Sequence, residues 1–200
     1  MSADPTTITE FWRQAGPKKW FAVDPAFDAA IRARFETEHH AAARGERAAW
    51  MANGEGSLAL ILLLDQFPRN LWRGSAHAFA TDPLARRVAD SVIAAGADQA
   101  IEPAMRPFVY LPFEHSEGIG DQDRSVGLCE ALERDIGDAS TLKWARSHRQ
   151  IILRFGRFPH RNACLGRTST PEEQAFLDGG GFSGGQASEP WRISRLSPGS

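Results

Sequence analysis

The sequence predicts an all-α protein, and three observations carry that prediction. Asp24-Pro25, Asp82-Pro83 and Thr170-Pro171 each set a side-chain acceptor before a proline, which suits an N-cap followed by a first helical residue. Apolar residues recur at the 3.6-residue period in one segment after another, while the alternation of a half-buried strand is nearly absent. Glycines stand where several of these stripes end, as expected of helix C-termini.

Taken in order, Thr7–Ala15 reads as the first helix. After Asp24, the residues Phe27, Ala30, Ile31, Phe35 and Ala42 form a stripe that Gly45 stops. Helix Gly56–Phe67 holds the longest apolar run, Leu58–Leu64, far below the roughly 20 residues of a membrane-spanning helix. Leu84, Val88, Val92 and Ala95 follow Asp82 at helical spacing and end at Gly96. Helix Pro103–His115 contains Pro112, whose ring removes one bond and frees the carbonyl of Phe108, predicting a kink. Asp121–Ile136 aligns Val126, Cys129, Leu132 and Ile136 before Gly137, which places Cys129 in a core. Leu142–Phe155 aligns Trp144, His148, Ile151 and Phe155 before Gly156, so His148 reads as a core or edge histidine. A last helix starts at Pro171. The total is about eight helices in a single domain spanning residues 5–178. Of the 22 residues from Gly179 to Ser200, 13 are Gly, Ser or Pro, a composition expected to stay disordered, with Trp191 and Ile193 its only sticky side chains.

Charge and cysteine usage narrow the function classes. With 23 basic and 25 acidic residues in 200, the net charge of −2 gives no general drive toward nucleic acid or anionic membranes. Cys129 and Cys164 have no metal-type spacing and read as reduced thiols, and Met1–Glu10 lacks the basic-then-apolar order of a signal peptide. The expectation is a cytoplasmic protein with no cofactor. There is no Walker loop and no His-Glu-x-x-His. Glu36-Thr37-Glu38-His39 matches Glu-x-x-His, a pattern short enough to arise by chance in an Ala/Glu/Arg-rich helix.

Three segments can carry chemistry. Asp65 ends the apolar run, near what reads as a helix C-terminus, where the dipole disfavours a carboxylate and calls for a partner such as Arg69 or Arg73. The segment Tyr110–Glu117 would present Glu114, His115 and Glu117 beyond the Pro112 kink, with the two carboxylates three apart on one face. These are general acid–base groups or hard metal ligands. Arg154–Arg167 holds Arg154, Arg157, His160, Arg161 and Arg167 with Asn162 and no acidic residue, a set suited to a carboxylate or phosphate. Phe67-Pro68-Arg69-Asn70 and Phe158-Pro159-His160-Arg161-Asn162 echo one another after strong apolar helices, which suggests stacked antiparallel helical hairpins.

Leu62–Asn70 with Arg73-Gly74, Leu111–Glu117, Arg154–Asn162 and Leu165–Glu173 together resemble, in order, the signatures of the bacterial domain-of-unknown-function 924 family, over roughly Ile8 to Leu177. That resemblance implies a tetratricopeptide-like helical fold and no activity or site residues.

The residues themselves point first to binding of a small anionic ligand or an acidic peptide end by Asp65, Arg69, Asn70, Glu114, His115, Glu117, Arg157, His160, Arg161 and Asn162. In that reading Arg157 and Arg161 clamp the anion, His160 and Asn162 add directional bonds, and Asp65 and Glu117 hold the arginines. The alternatives are an enzyme, such as a hydrolase, with His115, Glu117 or His160 catalytic, and a protein–protein scaffold whose groove would expose Trp12, Trp20 or Trp72.

Overall fold

A computed structural model describes residues 4–137 and 139–182. The tail expected from Gly179 onward falls largely outside them, as do Trp191 and Ile193. The described residues are helical and contain no strand. The α-helices are α1 (Pro5–Ala15), α2 (Pro17–Trp20), α3 (Pro25–Ala43), α4 (Gly54–Ile61), α5 (Phe67–Leu71), α6 (Asp82–Ala94), α7 (Pro107–Glu114), α8 (Ile119–Ile136), α9 (Ala139–Phe155) and α10 (Pro171–Asp178). A π-helical turn, Leu62–Gln66, joins α4 to α5 without a break, so these two form one rod and the described rods number nine.

Local chemistry accounts for most helix boundaries. Asp24 accepts from the amides of Ala26 and Phe27, and Thr170 and Glu173 form a reciprocal capping box at the start of α10. Gly137 and Gly156 take the left-handed conformation, at φ of 74° and 70°, that lets α8 and α9 stop. Asp82 departs from the expected N-cap. Thr81 precedes the helix, Asp82 is its first residue, and the Asp82 carboxylate turns to Arg69 instead of the helix amides. The segment Pro103–Arg106 is turn, and α7 begins only at Pro107.

Helix α4 is apolar on every side, and that dictates its place: such a helix has no face to offer water. All six of its residues from Gly56 to Ile61 are buried, as is Leu62 of the π turn that follows, and α4 packs against α1, α6 and α7. Trp12, Ile31, Phe35, Phe67, Phe108 and Phe113 complete the main core around it. Helices α8 and α9 form an antiparallel hairpin, as the ion pairs Glu130–Arg146 and Asp123–Arg149 run in opposite order along the two chains. Cys129, Leu142 and Ala145 fill the seam of that hairpin, and burial pushes the Cys129 thiol up to about 12. A smaller core of Ile151, Ile152, Phe158 and Phe176 seats α10 against the end of α9. No described helix is long and apolar enough to cross a membrane.

Candidate functional site

The site is built around Asp65, and the backbone beneath it is a departure from regular helix. Asp65 does not sit at a helix C-terminus; the rod continues through it as the π turn. There the amide of Phe67 bonds to Leu62 O, one residue further back than in an α-helix. Pro68 follows and has no N–H, so Leu63 O loses its π-type donor, its α-type donor Phe67 being already on Leu62, and Leu64 O loses its α-type donor. Two buried side chains supply the missing donors. His39 Nδ1–H donates to Leu63 O at 2.7 Å, and Thr81 Oγ1–H donates to Leu64 O at 2.6 Å. The interruption is therefore fully satisfied, and it directs Asp65, which has no exposed surface, toward α7.

His115, which caps α7, donates from Nδ1–H to Asp65 Oδ1 at 2.8 Å, and Gln66 Nε2 donates to Oδ2 at 2.6 Å. Arg69 lies 3.3 Å from Asp65 and makes a two-pronged bond to Asp82, at 2.9 and 3.0 Å. Burial alone would raise the Asp65 carboxyl; Arg69 and His115 outweigh it and hold the group far below the usual range. Burial, reinforced by Arg69, lowers His115 below its ordinary 6.5 even against the pull of Asp65. At neutral pH the pair is thus a carboxylate and a neutral imidazole whose Nδ1 carries the proton, leaving Nε2 with a lone pair.

Beside this pair opens a cleft of about 300 Å³ lined by Phe79, Asp82, Pro83, Arg86, His115, Ser116, Glu117, Arg161, Leu165 and Arg167. Arg161 is its unusual member. Its guanidinium lies 4.5 Å from the Phe79 ring centre and 4.6 Å from that of Phe158, and only 8% of the side chain is exposed. Its nearest carboxylate is Asp82, at 3.7 Å, which Arg69 already occupies. Among the described residues no acceptor hydrogen-bonds to the Arg161 guanidinium, and its Nε is buried without a partner. Burial and the nearby Arg69 pull its pKa down to about 10. Unmet buried donors of this kind are costly and call for an acceptor.

The other expected site residues divide. Glu117 lies on the cleft, where it accepts from the Phe158 amide at 2.9 Å and from Arg167 at 2.8 Å; burial would raise its carboxyl, and Arg167 more than offsets that. Glu114 and Glu117 do not share a face, because α7 ends at Glu114. Glu114 turns inward to His148 Nδ1, 2.9 Å away, behind the cleft. His160 packs against Phe158 and Phe182 with its Nδ1 buried and unpartnered, and burial together with Arg161 drives it well below its ordinary pKa. Asn70 lies elsewhere, donating with Arg73 to Asp28. Arg157 grips Glu173 through two bonds of 2.6 and 2.8 Å, and Asn162 donates to that same carboxylate at 3.2 Å. These two residues therefore tie down the start of α10 and do not face the cleft. Of the residues that line the cleft, only His115, Glu117 and Arg161 are expected there from the sequence; Ser116, Leu165 and Arg167 lie within the polar segments singled out, Asp82 and Pro83 read as a helix start, and Phe79 and Arg86 carry no local signal.

Among the described residues no group of three or more His, Cys, Asp or Glu side chains is placed to hold a metal ion. In the Glu36–His39 segment, Glu36 pairs with Arg32, Glu38 with Arg47, and His39 serves Leu63.

Comparison with known proteins places the chain. It is similar to the solved structure of a protein of unknown function, ATU0120 from Agrobacterium tumefaciens, at 50% sequence identity and a TM-score of 0.82, over 88% of this chain and 97% of that one. No curated protein matches it. The model of the bacterial proteins of unknown function called DUF924 matches residues 8–181, the span that contains every residue of the cleft, and the chain belongs to that family.

Proposed function

We propose that the cleft binds a small organic acid through its carboxylate, with Arg161 as the recognition group. The observation behind this is the Arg161 guanidinium itself: buried, held between two aromatic rings, open to the cleft, and without a hydrogen-bond acceptor among the described residues. A carboxylate fits its fork with two parallel bonds.

Charge favours a monoanion over a dianion. Asp65 and Asp82 balance Arg69 and Arg161, Glu117 balances Arg167, and Arg86 lies 3.4 Å from Asp121, so the cleft lacks acceptors more than it lacks negative charge. A phosphate dianion would add two charges beside Asp82 and Glu117. The volume sits at the lower end for ligand pockets, which favours a small acid over a peptide end. A tetratricopeptide-like scaffold is the weaker reading, since Trp12 is fully buried and Trp20 and Trp72 pack against the main core.

Isothermal titration with butyrate, inorganic phosphate and N-acetyl-alanyl-alanine tests the reading. Butyrate should bind more tightly than the other two, and Arg161→Met should weaken it at least tenfold, or about 1.4 kcal/mol. Equal binding by wild type and Arg161→Met, or no butyrate binding at all, overturns it.

A further inference from the structure

We infer that the cleft is catalytic: His115, oriented by Asp65, serves as general base and then general acid in the hydrolysis of a short acyl ester that carries a free carboxylate. The inference rests on the carboxylate-binding reading and extends it to a reaction.

Geometry supports a proton-moving role for His115. Both Asp65 oxygens are engaged, by His115 Nδ1–H at 2.8 Å and by Gln66 at 2.6 Å, so the carboxylate cannot swing and the imidazole is held in one tautomer. The π turn and the donors His39 and Thr81 lock the backbone beneath Asp65. The His115 ring lines the same cleft as Arg161, and its Nε2 has no partner among the described residues. A base whose far nitrogen is fixed by a buried carboxylate, with its near nitrogen free at a ligand cleft, is the arrangement that general-base catalysis requires.

The other groups restrict the chemistry. Asp82 is committed to Arg69, and Glu117 to Arg167 and the Phe158 amide, so neither is free to deliver a proton. Glycoside cleavage, which needs two carboxyl groups in complementary roles, is therefore not served. One group that accepts a proton and returns it suffices for addition and elimination at an acyl carbon. Ser116 is not assigned as the nucleophile: it is buried, its Oγ accepts from the Gly118 amide at 3.1 Å, and it makes no hydrogen bond to His115 among the described residues. Water takes that role.

In the proposed step the water oxygen bonds to the acyl carbon while its proton passes to His115 Nε2. The tetrahedral adduct then expels the alkoxide as its C–O bond breaks, and the Nε2 proton goes to that oxygen. The products are a carboxylic acid and an alcohol, and no oxidant or cofactor is consumed. Asp65 stays ionised throughout and offsets the transient imidazolium. A cleft of about 300 Å³ has the capacity for a small acyl chain of four or five carbons.

The test uses two chromogenic esters, p-nitrophenyl hemiglutarate and p-nitrophenyl acetate, on the full chain. Wild type should turn over the hemiglutarate at least tenfold faster in kcat/KM than the acetate. His115→Gln should lose on the order of 100-fold of that rate, the low end for a general acid–base group, while still binding butyrate. His115→Gln with wild-type turnover and intact butyrate binding overturns the catalytic inference and leaves the binding reading standing; failure of wild type to bind butyrate sinks both. Should His115→Gln not fold, carbethoxylation of wild type by diethyl pyrocarbonate, mapped by mass spectrometry, decides. Labelling of His115 that butyrate slows supports the inference, and a His115 that resists the reagent without butyrate overturns it.

Discussion

Thr81→Val isolates the contribution of the π turn to the molecule. The substitution keeps the shape of the side chain and removes one hydroxyl, the donor to Leu64 O at 2.6 Å. Both residues are buried, at 8% and 2% exposure, so water does not replace the donor. The helix does not replace it either, because the residue four positions on is Pro68. The cost is therefore that of an orphaned buried carbonyl, about 1–3 kcal/mol, and we take about 2 kcal/mol as the central value. For a chain of this size that corresponds to a fall in Tm of about 4–8 °C. Urea unfolding of wild type and variant, with equal m-values, measures it. A second substitution sharpens the argument. Pro68→Ala returns an amide four residues after Leu64, so Thr81→Val should cost less in the Pro68→Ala background than in wild type, with a coupling of about 0.5–1 kcal/mol. A loss below about 0.5 kcal/mol in the single variant, or strict additivity in the double, would refute the account of why Asp65 is presented where it is.

Two further outcomes follow from the packing and the titration of the buried groups. Gly56→Ala should destabilise the protein by about 2 kcal/mol or more in the same urea assay, because a Cβ there would lie 2.0 Å from the Trp50 carbonyl oxygen, a backbone atom with little freedom to move; a neutral result would mean that the Trp50 turn yields easily. Burial lowers His39, His115 and His160 below their ordinary 6.5, so the unfolded chain binds protons more readily than the folded one as pH falls. Stability should then be full above about pH 6.5 and decline toward about pH 5, before the carboxylates contribute: Glu173, held down chiefly by Arg157 to about 2, adds its own loss only as pH falls below its ordinary 4.5. A Tm that stays level from pH 7 to 5, or rises, would contradict this, and His160→Phe should flatten the decline.

How much of this molecule its sequence discloses depends on the range of the interaction concerned. Helical content, the caps at Asp24 and Thr170, the stops at Gly137 and Gly156, and the burial of Cys129 are settled within a few residues of chain, by φ restriction, side-chain acceptors and the 3.6-residue period. Those are legible in a string of letters. The apolar run Leu58–Leu64 likewise announces a helix with no solvent face, although not which helices surround it.

The cleft is another matter. Its polar segments can be singled out by composition, but their division of labour cannot. Arg157 and Arg161 are four residues apart in one basic segment; one is spent on Glu173 and the other is left without an acceptor, and only the approach of α10 to one side of that turn and α6 to the other separates them. Asp82 looks like a cap because Asp-Pro usually is one, and it becomes the partner of Arg69 because the rod carrying Arg69 passes beside the start of α6. Asp65 and His115, fifty residues apart, meet only because α7, which His115 caps, packs against the rod that carries Asp65. Local rules fix helices since their hydrogen bonds close within four residues, whereas buried charges must find partners wherever packing brings them, and that is decided only when the chain has folded.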